Sequence, residues 1–314
     1  MNIIKADGEW PELKNSILVA AFSGWNDAAD AATSAVRYLG EQVSTETFAT
    51  LDPEEFYVFT ETRPQTRLNE DGEREIIWPT NEFAAQSNLP GLKRSLVTLI
   101  GVEPDLKWRT FADTFIEICR RCNVTEVVLV GALVAPVPHT RPVPITGAAT
   151  DPLRLERVRK VGISGSRYEG PTGIVGILSE RCQHEKIPLI SFWGAAPSYL
   201  TASPNWKVTS GLLDALNLVL NLELELSSLH AMSRRFESQV TQAVNRDEQV
   251  AAFVQALEEQ YAMDEGSEGK IEALPEEEED ENDTELPSAE LLIQDLERHI
   301  RQRQERNDRP SEEN

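Results

Sequence analysis

Between Ser16 and Leu220 the chain alternates short unbroken apolar runs with stretches whose apolar residues recur every three or four positions. "SILVAAF" (Ser16–Phe22) is followed by "AADAATSAVRYLG". "SLVTLIG" (Ser95–Gly101) leads through "RTFADTFIEICRRC" to "EVVLVGALV" (Glu126–Val134). "TGIVGILSERCQHE" then precedes "IPLISFWG" (Ile187–Gly194) and "TSGLLDALNLVLNL". Runs of this length suit strands covered on both faces, and the three-to-four spacing suits helices laid across them. The pattern predicts an α/β fold, a three-layer αβα sandwich with a mainly parallel sheet and right-handed crossovers. One stretch, "TRLNEDGEREIIWP" (Thr66–Pro79), breaks the alternation. Asp71-Gly72 lies between two runs able to pair, which predicts a β-hairpin extending one end of the sheet.

From Ser227 the pattern is helical throughout. Leu229, Met232, Phe236, Val240 and Ala243 recur at spacings of three and four, and Val250, Phe253, Val254, Leu257 and Tyr261 do the same. Two amphipathic helices follow, packed on the core or on another subunit. "LPEEEEDENDTELP" has too little apolar surface to fold and reads as a disordered acidic linker. In "SAELLIQDLERHIRQRQ", Ser288 is a candidate N-cap, and Leu292, Leu296 and Ile300 share one helical face. An amphipathic helix on a tether either docks a partner or folds back on its own domain. The expected organisation is an α/β core (1–222), a helical extension (223–263), an acidic linker (264–287) and a tail helix (288–314).

Charge narrows the choice of partners. The 53 acidic and 30 basic residues give a net charge of −23. Such a chain repels nucleic acid and anionic lipid, so neither is an expected partner. Residues 264–314 hold 19 acids and 6 bases, or −13, so residues 1–263 carry −10. Asp7, Glu9, Glu12 and Lys14 interrupt the start, and apolar runs stay short of membrane-spanning length. The expectation is a cytoplasmic protein with no membrane insertion. Three cysteines, Cys119, Cys122 and Cys182, are too few for a disulfide framework. Cys119-Arg-Arg-Cys122 closes a helix rather than opening one, which argues for a structural role rather than a redox one.

Candidate chemistry collects where strands end. The first strand runs into "FSGWNDAADAA": Gly24 permits a sharp turn, and Asn26 or Asp27 can cap the next helix. Asp27 and Asp30 place negative charge where a phosphate would sit, and neither glycine-rich phosphate-binding fingerprint is present there. "GALVAPVPHTRPVPITG" carries four prolines around His139, Thr140 and Arg141, so the loop is stiff. Arg141 suits a carboxylate or phosphate, and His139 suits proton transfer near neutral pH. The other reading of these residues is a brace to acidic neighbours or a subunit interface. "YEGPTGI" places Thr172 and Gly173 at a helix N-terminus with free N–H groups. If the strands are parallel, Gly24, Trp25, Asn26, Asp27, His139, Thr140, Arg141, Thr172 and Gly173 share one sheet edge and form a candidate ligand pocket. No nucleophile elbow, catalytic triad or metal-ligand spacing is legible, so no catalytic residue, metal or cofactor is assigned.

Taken in order, "AFSGWNDAADAATSAVRYL", "FYVFTETRPQ…REIIWP", "GALVAPVPHTRPVPITG" and "GPTGIVGILSERCQHEKIPLISFWGAAPSYL" resemble the proteasome assembly chaperone two family, in its actinobacterial-type branch. The resemblance spans roughly residues 1–260. It implies an αβα fold akin to that of nucleoside phosphorylases, self-association, and assistance to proteasome assembly in eukaryotic and archaeal members. Such chaperones often end in a hydrophobic-Tyr-any-residue tail, whereas this sequence ends "NDRPSEEN". The reading is a non-catalytic, homo-oligomeric assembly chaperone or scaffold with a protein partner of unknown identity. The alternative is a small-molecule binder or enzyme of the phosphorylase/hydrolase-like fold with its pocket at the strand ends.

Overall fold

A computed structural model describes residues 3–69, 71–89, 93–165 and 168–264. The acidic linker and tail helix expected from the sequence lie outside the described residues. The chain forms β1 (Ile4–Ala6), β2 (Ser16–Ser23), α1 (Ala31–Val43), β3 (Glu46–Leu51), β4 (Gln65–Leu68), β5 (Arg74–Ile77), β6 (Glu82–Gln86), β7 (Leu96–Val102) and α2 (Trp108–Arg121). It continues with β8 (Val124–Ala135), β9 (Ile145–Ala149), α3 (Pro152–Lys160), α4 (Ile174–His184), β10 (Leu189–Pro197), α5 (Trp206–Leu220), α6 (Ser227–Val244) and α7 (Glu248–Asp264).

Eight strands make one sheet in the order β1-β3-β6-β7-β2-β8-β10-β9. The middle four, β7, β2, β8 and β10, are parallel to one another. The apolar runs of the sequence are these four. β2 shows why they are unbroken: Leu18, Ala20 and Phe22 belong to the core beneath α2 and α4, while Ile17, Val19 and Ala21 belong to the core beneath α1 and α5. Alternating side chains are thus apolar on both faces, as a sheet sandwiched by helices requires. The flanking strands pair antiparallel. The sheet is therefore mixed, with a parallel centre, and the three-layer α/β expectation holds.

The hairpin forms, but it does not extend the sheet. β4 and β5 make a separate two-stranded ribbon, bracketed by Pro64 and Pro79, which have no N–H to donate to a ladder. Asn69 shapes its turn by accepting from the N–H groups of Asp71 (3.1 Å) and Glu73 (2.8 Å).

α6 and α7 pack on the core. Phe236, Val240, Val244, Val254 and Leu257 close over Tyr199 and Leu200, which follow β10. Leu229, at the start of α6, joins the cluster beneath α5.

Candidate functional site

Parallel pairing brings the C-terminal ends of β7, β2 and β8 side by side, with β2 between the other two. This is the edge where open α/β sheets usually hold ligands. The backbone ladder continues past β2: Glu103 N donates to Ser23 O (2.9 Å), and Ala132 N donates to Asn26 O (2.9 Å).

Residues of the chain itself occupy this edge. Gly24 turns at φ 111°, and the exposed Trp25 follows it. Asn26 is fully buried, and its Nδ2 donates to Glu103 Oε1 (2.7 Å). The same carboxylate oxygen accepts from Ile174 N (2.7 Å), the first residue of α4. A helix N-terminus favours an anion through its free N–H groups and its dipole, and here Glu103 supplies that anion. Asn26 Oδ1 is buried with no hydrogen-bond partner among the described residues. It packs against Gly173, where a Cβ would lie 2.4 Å from it. Thr172, just before, is exposed.

Asp27 caps α1 as the sequence suggests, though from five residues away. A 3-10 turn intervenes at Ala28–Asp30, with Ala29 and Asp30 at positive φ. The Asp27 carboxylate accepts from Ala32 N (2.6 Å), from Thr33 N and from Thr33 Oγ1. Burial pushes its pKa up to about 6, against the opposing pull of the Thr33 and Ala32 hydrogen bonds.

His139 and Thr140 turn the other way, towards the helical extension. His139 is 3% exposed. Its backbone N–H donates to the Tyr199 hydroxyl (2.7 Å), which also lies 2.7 Å from Nδ1. Nε2 lies 3.0 Å from Thr241 Oγ1, whose own hydrogen is given to Glu237 O. The network therefore fixes a neutral ring with hydrogen on Nε2, accepting at Nδ1 from Tyr199. Burial, helped by the Lys207 ammonium, pushes the His139 pKa down to about 4. Lys207 donates to His139 O and pairs with Glu237 (2.8 Å), and Thr140 donates to Glu258 on α7. Arg141 is exposed and makes no ion pair among the described residues.

The nine candidate residues thus fall into separate groups. Asn26 and Gly173 meet through Glu103, while His139 and Thr140 join α6 and α7. The cavity beside His139 and Arg141 is lined by none of Gly24, Trp25, Asn26, Asp27, Thr172 or Gly173. Its volume is about 10 Å³, room for about one water molecule. Glu103, Tyr199, Lys207 and Thr241 escaped the sequence reading. Glu103 follows the run "SLVTLIG" and so had a positional signal; the other three depend on helix packing. The three cysteines are buried, with the Cys122 and Cys182 thiols pushed up to about 12 by burial and Cys119 also raised. They belong to the core beneath α2 and α4.

Residues 21–244 match the PAC2 family model, a span that takes in both residue groups. The chain belongs to the PAC2 family. A PAC2 family protein from Streptomyces avermitilis is 39% identical, with a TM-score of 0.69, over 76% of this chain and 99% of that one. A proteasome-assembly chaperone homologue from Mycobacterium tuberculosis is also 39% identical, with a TM-score of 0.68 over the same shares. The archaeal proteasome activator PbaB of Pyrococcus furiosus shares the fold, with a TM-score of 0.61 at 16% identity over 76% of this chain and 97% of that one. No curated protein shows significant sequence similarity to the chain. The two 39%-identical structures place it with the actinobacterial PAC2 proteins, as its motifs suggest. Among the described residues of this PAC2 chain, no helix is long and apolar enough to cross a membrane.

Proposed function

We propose that this PAC2 protein is a non-catalytic, self-associating assembly chaperone or scaffold that acts through protein–protein contacts in the cytoplasm. The observation that carries the reading is the filled strand edge. Where a ligand-binding α/β protein keeps an open anion site, the Glu103 carboxylate caps α4, Asn26 is buried against Gly173, and Asp27 is committed to α1. In the same reading, His139 and Thr140 brace the helical extension rather than receive a ligand. The 39%-identical chaperone homologue from Mycobacterium tuberculosis supports a role in assembly.

The hairpin supplies a surface suited to such contacts. Leu68, Ile76 and Trp78 fall on one face of the ribbon by pairing register, and all three are exposed. Phe59 packs on Trp78 with ring centroids 4.9 Å apart, and Asp105 accepts from Val58 N and Thr62 Oγ1.

Co-expression with the α and β subunits of an actinobacterial proteasome core tests the role. The chaperone reading expects the chain to co-purify with assembly intermediates and to be absent from mature particles. Absence from every intermediate, with an unchanged assembly rate, would refute it. Light scattering tests self-association: a mass of 35.1 kDa at every concentration would rule it out.

A further inference from the structure

The densest cluster of charge lies away from the strand-end site. Glu126, near the start of β8, is 1% exposed and is gripped by three guanidinium groups, those of Arg94 (3.2 Å), Arg154 (2.9 Å) and Arg157. Arg154 also reaches Asp151 (3.1 Å), and Lys160 reaches Glu156 (2.9 Å). With the exposed Arg159, this region sets five cations against three carboxylates. It does so on a body, residues 1–263, whose net charge is −10.

The cluster borders a groove of about 340 Å³ lined by Leu153, Arg154, Glu156, Arg157 and Lys160. Leu153, which lines this groove, is 73% exposed. A cationic groove with an exposed leucine fits an extended peptide rich in carboxylates with an apolar residue at its end.

We propose that the α3 groove binds the chain's own acidic segment, residues 274–287, "LPEEEEDENDTELP". Charge complementarity selects it: eight of the ten residues from Glu276 to Glu285 are acidic, and their mutual repulsion is relieved by pairing with the surplus cations. Leu274 and Leu286 flank the acids and offer an apolar side chain to Leu153. Pro275 and Pro287 favour an extended backbone. From Asp264 at the end of α7, twelve residues reach Glu276, a span of up to roughly 40 Å. That is comparable to the width of a domain of this size, whose radius of gyration is about 18 Å. Tethering also keeps the segment at a high effective concentration.

Carbodiimide coupling in the full-length chain tests this contact, since it joins an ammonium and a carboxylate only when they touch. Chains of natural and 15N isotopic composition are mixed beforehand. The proposal expects Lys160 joined to residues 276–285 within one chain, with a yield that falls about tenfold in about 0.5 M salt. Coupling of the segment chiefly to other lysines, or only between chains of different isotopic label, overturns it; the latter would assign the groove to a second copy. A second readout uses Arg159→Glu/Lys160→Glu, both exposed positions, with folding verified by circular dichroism. A Glu-specific protease should then cut the segment about tenfold faster than in the wild type. Equal rates in a folded variant overturn the proposal.

Discussion

Replacing His139 by Asn should change the pH dependence of stability in a way that exposes two opposed titrations. The folded His139 pKa is about 4 against 6.5 for a free ring. The folded state therefore binds fewer protons than the unfolded chain, and stability is lost as pH falls from 6.5 through 4. The ring is 3% exposed, so solvent screens it little, and the shift corresponds to about 3 kcal/mol. Asp27 runs the other way. Its pKa rises from 3.8 to about 6, so its contribution is complete below 3.8 and is lost as pH rises through 6. That is again about 3 kcal/mol. Between pH 6.5 and 4 the two nearly cancel, and this pair should leave the wild type almost flat. In His139→Asn the Asp27 titration is no longer opposed by His139, so over that interval the stability profile should gain about 3 kcal/mol relative to the wild type as pH falls. Asp27→Asn should show a fall of similar size. Urea unfolding at half-unit pH steps measures all three profiles, and only the slopes matter, whatever each variant costs at neutral pH. Parallel profiles for the wild type and His139→Asn would mean that His139 titrates as a free ring, and the brace would be wrong.

Two further outcomes follow from packing. Gly173→Ala places a Cβ 2.4 Å from Asn26 Oδ1 and 2.6 Å from Glu103 Oε1, overpacking a buried junction; a loss of about 1–3 kcal/mol is expected by thermal unfolding, and an unchanged midpoint would deny the close approach. Cys119, Cys122 and Cys182 are buried with raised pKa values, so all three should resist a thiol-disulfide reagent in the native protein and react on unfolding; rapid native reaction of any one would contradict its burial.

Much of the fold was legible because its centre obeys a simple rule. β2, β7, β8 and β10 are buried on both faces, so their sequences are unbroken apolar runs. The edge strands were harder. β6 "EFAAQ" and β9 "ITGAA" are short and rich in small residues, and their place depends on neighbours distant in sequence. α3 buries only Val158 among its nine residues, too little to leave a periodic signal. The hairpin turn was written in Asp71-Gly72, but nothing local said that the ribbon would stand apart from the sheet.

The candidate site was legible in its positions rather than its partners. The turn after β2 and the N-terminus of α4 do converge, because the parallel order puts them there. The loop after β8 has its own rigidity from proline, yet its direction is set by Tyr199, Thr241 and Lys207, which lie 60 to 102 residues away. His139 thus looked free to titrate near neutrality when in fact burial holds it uncharged. The sequence offered Asn26 or Asp27 as the cap of the next helix, and only the packing decides between them: Asp27 caps α1 while Asn26 bonds Glu103.

The most direct measurement is a thermal-shift comparison of the wild type and Glu103→Ala against phosphate, nucleosides, nucleotides and simple carboxylates. A bound ligand at one hundred times its Kd adds about 2.7 kcal/mol and is easily seen. The account predicts no shift for the wild type with any of these compounds, and a phosphate-dependent shift in Glu103→Ala, where the α4 N-terminus has lost its internal anion. A wild-type shift that disappears in Asn26→Ala, or in His139→Ala/Arg141→Ala, would show a working ligand site at the strand ends and contradict the account.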